Sequence, residues 1–182
     1  MIEVYAQVED EDLFHRKDVE KVVTQALKAT SKWLARESVK RIGRKLRIKT
    51  QAGKRRVKIN KVNKNTGGVW YGLLPISLAY AREYKQTPTG VLSGDRFYKG
   101  AFAQAVSGSR ELIWERERER PKRSTRAKRS PNGTRRKRKS PPVRLVREDV
   151  HDETVEVVGQ LEHEVQEVYK EAFLHGLNAL TH

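Results

Sequence analysis

The chain has no cysteine among its 182 residues. That excludes a disulfide framework, thiolate metal sites and cysteine nucleophiles. It has no apolar run approaching the roughly 20 residues needed to cross a bilayer. The first residues, MIEVYAQVEDEDLF, are acidic and lack the apolar core of a signal peptide. A soluble protein made in the cytoplasm, with no membrane role, is the expectation. Aromatic residues make up 7% of the chain and hydrophobic ones 36%, so the core is thin for the length. The length itself fits one domain, or one domain with an arm.

Catalytic signals are also scarce. The histidines His15, His151, His163, His175 and His182 form no H-E-x-x-H pair and no other standard metal spacing. His163 and Glu167 stand one helical turn apart, as on any polar helix surface. Ser107, in Val106-Ser107-Gly108-Ser109, lacks the first glycine of a nucleophile elbow. Gly67-Gly68 is not followed by the Lys-Ser/Thr pair of a phosphate loop and reads as a turn. Neither an enzyme nor a cofactor is expected.

What the chain does have is charge of one sign, unevenly placed. Its formal net charge is +16. Residues 36–64 carry 13 basic and 1 acidic side chains, and residues 121–140 carry 10 basic and none acidic. These two stretches exceed the whole net charge, because residues 1–35 and 141–182 are net acidic. The candidate contacts for DNA or an acidic partner are Arg41, Arg44, Lys45, Arg47, Lys54, Arg55 and Arg56 in the first stretch. In the second they are Lys122, Arg123, Arg126, Lys128, Arg129, Arg135, Arg136, Lys137, Arg138 and Lys139.

The second stretch, PKRSTRAKRSPNGTRRKRKSPP, has no apolar side chain larger than alanine. Nothing in it offsets the entropy of ordering, so residues 119–142 are expected to form a mobile basic loop or arm. It lacks aromatics, so base stacking is not offered there. No recognition helix, zinc finger or RNP motif is present, and any nucleic-acid contact is expected to be to backbone and strongly salt-dependent. Composition alone leaves open whether the arm meets nucleic acid or an acidic protein surface.

Periodicity predicts a first helix from about Asp12 to Arg44, with Val19, Val22, Val23, Ala26, Ala29, Thr30 and Trp33 on its apolar face and Gly43 as its stop. A strand follows at Val57 and Ile59, then a turn at Lys64–Gly68 and a second strand over Val69–Leu74. Residues 77–96 have no clean period and read as irregular with a possible extended piece. Further strands are expected at Tyr98–Val106, at Glu111 to about Arg118 and at Val143–Val146. In Glu115-Arg116-Glu117-Arg118-Glu119-Arg120 the sign alternates, placing glutamates on one strand face and arginines on the other. A last helix runs from Asp149 or Asp152 to Leu180, with Val158, Leu161, Val165, Val168 and Ala172 as its stripe. The predicted fold class is α+β: a small, mainly antiparallel sheet of about four or five strands packed with two long amphipathic helices, forming a single domain over residues 1–182.

Three ordered runs carry a family resemblance. They are Val69-Trp70-Tyr71-Gly72-Leu73-Leu74-Pro75-Ile76-Ser77-Leu78, then Gln86-Thr87-Pro88-Thr89-Gly90-Val91, then Phe97-Tyr98-Lys99-Gly100-Ala101-Phe102. A strand ending in arginine follows, and then a proline-containing loop. In order and spacing this resembles the minor tail protein Z family of tailed bacteriophages, over most of residues 19–180. The resemblance implies a structural virion protein, a tail completion or neck component at the head-proximal end of the tail. Its implied partners are other tail and neck proteins, further copies of itself in a ring, and the backbone of genomic DNA. Residues 121–140 depart from the family, whose members have a short loop there, so the basic insertion inherits no role. The alternative from the charge alone is a sequence-nonspecific nucleic-acid-binding protein of the ribosomal or chromatin kind.

Overall fold

The computed structural model describes residues 2–5, 15–105, 110–116 and 143–180. The fold is α+β, with one long helix near each end of the chain and small antiparallel sheets between. In place of one sheet of four or five strands, the described strands are divided among several sheets, three of them three-stranded. The described residues gather into two compact units: unit 1 comprises residues 1–76 and 149–182, and unit 2 comprises residues 77–148.

In unit 1, strand β1 (Ile2–Tyr5) precedes helix α1 (Arg16–Leu46), which is 31 residues long. The buried face of α1 comprises Val19, Val22, Val23, Ala26, Leu27, Thr30, Ser31, Leu34, Ser38, Ile42 and Leu46. These positions recur every three to four residues, as one face of a 3.6-residue helix requires. Ala29, expected inside, is exposed, and Trp33 is half-buried. Leu27 and Leu34 hold the inward positions instead, at 1% exposure each. Nor does Gly43 stop the helix. The chain runs on to Leu46, because Leu46 and Ile48 are both buried. The left-handed residue that closes the helix is Arg47, at φ 52°. The Arg47 amide bonds the Arg44 carbonyl and the Ile48 amide bonds the Gly43 carbonyl, which satisfies two of the last-turn carbonyls with backbone donors.

A helix absent from the sequence reading, α2 (Thr50–Arg56), follows at once and packs Gly53 against Val39 of α1. Strands β2 (Val57–Ile59) and β3 (Thr66–Tyr71) then form a hairpin, and β1 pairs with the far side of β3, giving the order β1-β3-β2. Gly67 and Gly68 therefore lie in the strand, and the turn falls just before them. Gly67 is needed because a side chain there would strike the Ser31 hydroxyl at 2.9 Å. The inward side chain Tyr71 donates or accepts a 2.8 Å hydrogen bond with the fully buried Ser38 of α1.

The last helix, α4 (His151–Asn178), packs antiparallel on α1 through Thr154, Val157, Leu161 and Val165. Val158 and Val168, expected in its stripe, are half-buried at the margin of that face. Where the two helices approach closely, Gly176 faces Val22, and a side chain at Gly176 would come within 2.6 Å of Val22 Cγ1.

Unit 2 starts after the short strand β4 (Ile76–Ser77) with a single turn of helix, α3 (Leu78–Ala81). The stretch read from sequence as irregular is an antiparallel meander of β5 (Lys85–Thr87), β6 (Gly90–Ser93) and β7 (Arg96–Lys99). Two-residue connections, Pro88-Thr89 and Gly94-Asp95, join its strands. The glycines and proline that break up the sequence pattern are thus the hairpin turns. Gly100, at φ 78°, splits the expected Tyr98–Val106 strand, so β8 (Ala101–Gln104) starts anew and joins a second sheet. That sheet has the order β10-β9-β8, with β9 (Leu112–Arg116) and β10 (Val143–Leu145). Leu78, Val91, Ala101, Ile113 and Val146 form the core of the unit. The short strand β11 (Arg147–Glu148) ends it.

Candidate functional site

Among the described residues, no group of three or more His, Cys, Asp or Glu is placed to hold a metal ion. The apolar crevice lined by Ile42, Leu46, Tyr71 and Val150 in unit 1 has about 10 Å³ of internal space, room for at most one water. No helix among the described residues is long and apolar enough to cross a membrane. His163 and Glu167 are both exposed on α4.

The most concentrated ionic chemistry inside a unit is at Glu148, which is 4% exposed. Its Oε1 accepts from Arg82 at 2.9 Å and from Arg96 at 2.6 Å, and its Oε2 accepts from the Tyr98 hydroxyl at 3.1 Å. Burial, and then the carboxylate beside it, push the Tyr98 hydroxyl above its ordinary value. The carboxylate takes three donors, one from the α3–β5 turn and two from β7. It ties these segments of unit 2 together.

Unit 1 is cationic around the end of α1, α2 and β2, while residues 149–182 of the same unit are net acidic. From Ser38 to Arg82 the chain holds thirteen lysines and arginines and no carboxylate. The sequence candidates in this region separate into two groups. Arg41 is an internal tie: its two terminal nitrogens reach Glu164 at 2.6 and 2.7 Å, and its Nε reaches Glu37 at 3.1 Å. These hydrogen bonds raise the Arg41 guanidinium further above its ordinary value and hold both carboxyls below theirs. Lys45 pairs with Glu156 of α4. Both cations therefore join α1 to α4 through ion pairs. Arg44, Arg47, Lys54 and Arg55 are exposed around the end of α1 and along α2. Arg56 is half-buried and donates to the Pro75 carbonyl at 3.2 Å. The ten candidates of the second basic stretch, Lys122 to Lys139, lie outside the described residues.

An aromatic in the middle of the basic surface was not singled out in the sequence. In the β2–β3 register Lys58 faces Trp70, and the Gly72 amide bonds the Arg56 carbonyl. Alternation along both strands puts Arg56, Lys58, Trp70 and Gly72 on the same outward face. Trp70 is 42% exposed, with the Lys58 ammonium 5.8 Å over its ring. Its signal in the sequence was present but ambiguous, since a tryptophan in a β-rich run reads equally well as core.

Unit 1 and unit 2 together define an α+β protein with a cationic helix-and-hairpin surface. No family model, no curated protein and no solved structure matches the chain.

Proposed function

We propose that the protein is a structural component of a tailed-bacteriophage virion, a tail completion or neck protein at the head-proximal end of the tail. It would bind tail and neck proteins and further copies of itself, with its basic stretches turned to DNA or to an acidic neighbouring subunit. The reading rests on the three ordered runs, and what supports it is where they fall. Gly72 to Ile76 carries the chain from β3 to β4, Thr87 to Val91 is the β5–β6 hairpin, and Phe97 to Phe102 is the β7–β8 passage. Their glycines answer to backbone needs: a side chain at Gly90 would meet the Tyr98 carbonyl at 2.3 Å, and Gly100 is left-handed. Such positions are fixed by the fold itself, as expected of a motif that marks a shared architecture.

The test is association with tails. Purified protein mixed with headless tails is expected to co-sediment with them, and antibody labelling in electron micrographs to mark one end. Deletion of residues 121–140 then separates the roles: tails that take up the shortened protein but fail to join heads put the arm at the junction. A protein that never associates with tails overturns the reading. The carboxylate-free stretch from Ser38 to Arg82 favours the second reading, a general nucleic-acid binder. That reading predicts tight duplex binding at low salt, falling steeply as salt rises.

A further inference from the structure

We infer that the outward face of the β2–β3 hairpin is a stacking site for a base of single-stranded nucleic acid, with Trp70 as the platform and Arg56 and Lys58 as its phosphate contacts. The inference rests on the geometry of this face and not on the virion assignment. Trp70 is held in place by its neighbours. A Cβ on Gly72 would lie 3.0 Å from Trp70 Cη2, 3.2 Å from its Cζ3 and 3.0 Å from Arg56 Cδ. The ring edge and the arginine stem therefore converge on the bare backbone of Gly72, and glycine is what lets the indole lie along the sheet. Lys58, across the hairpin, stands over the ring. An exposed flat π-surface with Lys58 across the hairpin and Arg56 at the end of α2 beside it combines the two elements used on a single strand, where aromatics stack bases and Lys or Arg follow the backbone.

The charge around the ring has the sign a phosphate backbone needs, and the exposed indole is what favours a base over an acidic side chain. Lys54 and Arg55 lie just before the hairpin on the exposed side of α2, and β2 and β3 themselves carry no carboxylate, the nearest acidic position in the sheet being Glu3 of β1, in register with Gly68. A second cation–aromatic pair is less suited. Arg116 stands 5.8 Å over Phe102 in unit 2, but that ring is half-buried and Glu115 shares its groove. A duplex keeps its bases stacked inward, so it offers the Trp70 ring nothing to stack on.

The experiment measures affinity of the full chain for labelled oligo(dT), oligo(rU), a duplex of equal length, and heparin, a polyanion without bases. Trp70→Leu keeps apolar volume and removes the π-surface. It is expected to weaken oligonucleotide binding about 5- to 100-fold while leaving heparin affinity within about 2-fold, since phosphate-type charge is untouched. Trp70→Tyr is expected to restore most of the loss, and its melting curve checks that the fold is intact. Oligo(dT) is also expected to quench the wild-type tryptophan fluorescence more than heparin does. Comparison of oligo(dT) with oligo(rU) distinguishes a DNA strand from an RNA strand as the source of the base. Equal losses for oligo(dT) and heparin in Trp70→Leu, or no loss at all, overturn the proposal. So does failure of Trp70→Tyr to recover binding while it folds normally. Co-sedimentation with tails is a separate measurement, and its failure leaves this result standing.

Discussion

Arg41 shows how a residue chosen for its charge can be committed to the fold. Its fork grips both oxygens of Glu164 on α4 while its Nε holds Glu37 one turn back on α1. Hydrogen bonding to Arg41 is the leading reason that Glu37 and Glu164 sit below their ordinary value of 4.5. A depressed folded pKa means the contribution to stability is complete above that ordinary value and is lost as pH falls through the depressed one. Arg41→Met should therefore lower the melting temperature at pH 7. The gap from wild type should narrow below pH 4.5, as both proteins lose the carboxylates. Melting curves across pH check it, and a gap that persists at low pH would assign the effect to packing. The effect should be modest, since the Glu164 end is solvent-exposed and screened. Charge counting in the sequence ranked Arg41 and Lys45 with Arg44 and Lys54. It had no access to Glu156 and Glu164, which lie more than a hundred positions further along the chain.

At the level of elements, the α1–α4 contact depends on a missing side chain. Gly176 meets Val22, and an added methyl would lie 2.6 Å from Val22 Cγ1. Gly176→Ala should destabilise the protein by about 1–3 kcal/mol through overpacking, even though alanine is the better helix former. Gly159, on the same helix with nothing within 4 Å, is the control: Gly159→Ala should stabilise by roughly 0.5–1 kcal/mol. Denaturant titration of the two variants reads opposite signs. The two long helices were legible in the sequence because their periods run through many turns. Their packing faces were less so, since Ala29 and Leu27 are both apolar and only the partner decides which turns inward. The hairpins of residues 85–99 were hidden for a different reason. Their strands are three or four residues long, and Pro88, Gly90, Gly94 and Gly100 look like disorder until pairing shows them to be corners. α2 was missed because its seven residues expose mainly cations and bury only Ala52 and Gly53, so it has no apolar stripe to detect.

For the whole molecule, the division into units follows neither composition nor charge. Unit 1 is discontinuous in sequence, because residues 149–182 return to pack on α1. Unit 2 closes its core from residues between 78 and 146. Truncation after Glu148 removes the cover of Val19, Val23 and Leu27, which pack with Tyr169 and Phe173, while leaving every member of the unit 2 core in place. Hydrogen exchange should then show the amides of α1 losing protection while those of β6, β8 and β9 keep theirs. Equal loss in both units would mean that they unfold as one. Nothing in the chain marks residues 76 and 149 as a seam: Ile76 and Val150 are both buried, and no glycine- or serine-rich linker stands at either point.

The interrupted path of unit 1 also sets a timetable for its synthesis. α1 leaves the ribosome with its apolar face complete, but its partner α4 begins about a hundred residues later. At about 5–20 residues per second, the face of α1 waits roughly 5–20 s for the helix that covers it. Only the β5-β6-β7 meander of unit 2 can pair in that interval, since the core of the unit also needs Val146, made just before α4. Until α4 arrives, the apolar face of α1 stays uncovered, and a chaperone that binds apolar helix faces has that window in which to act.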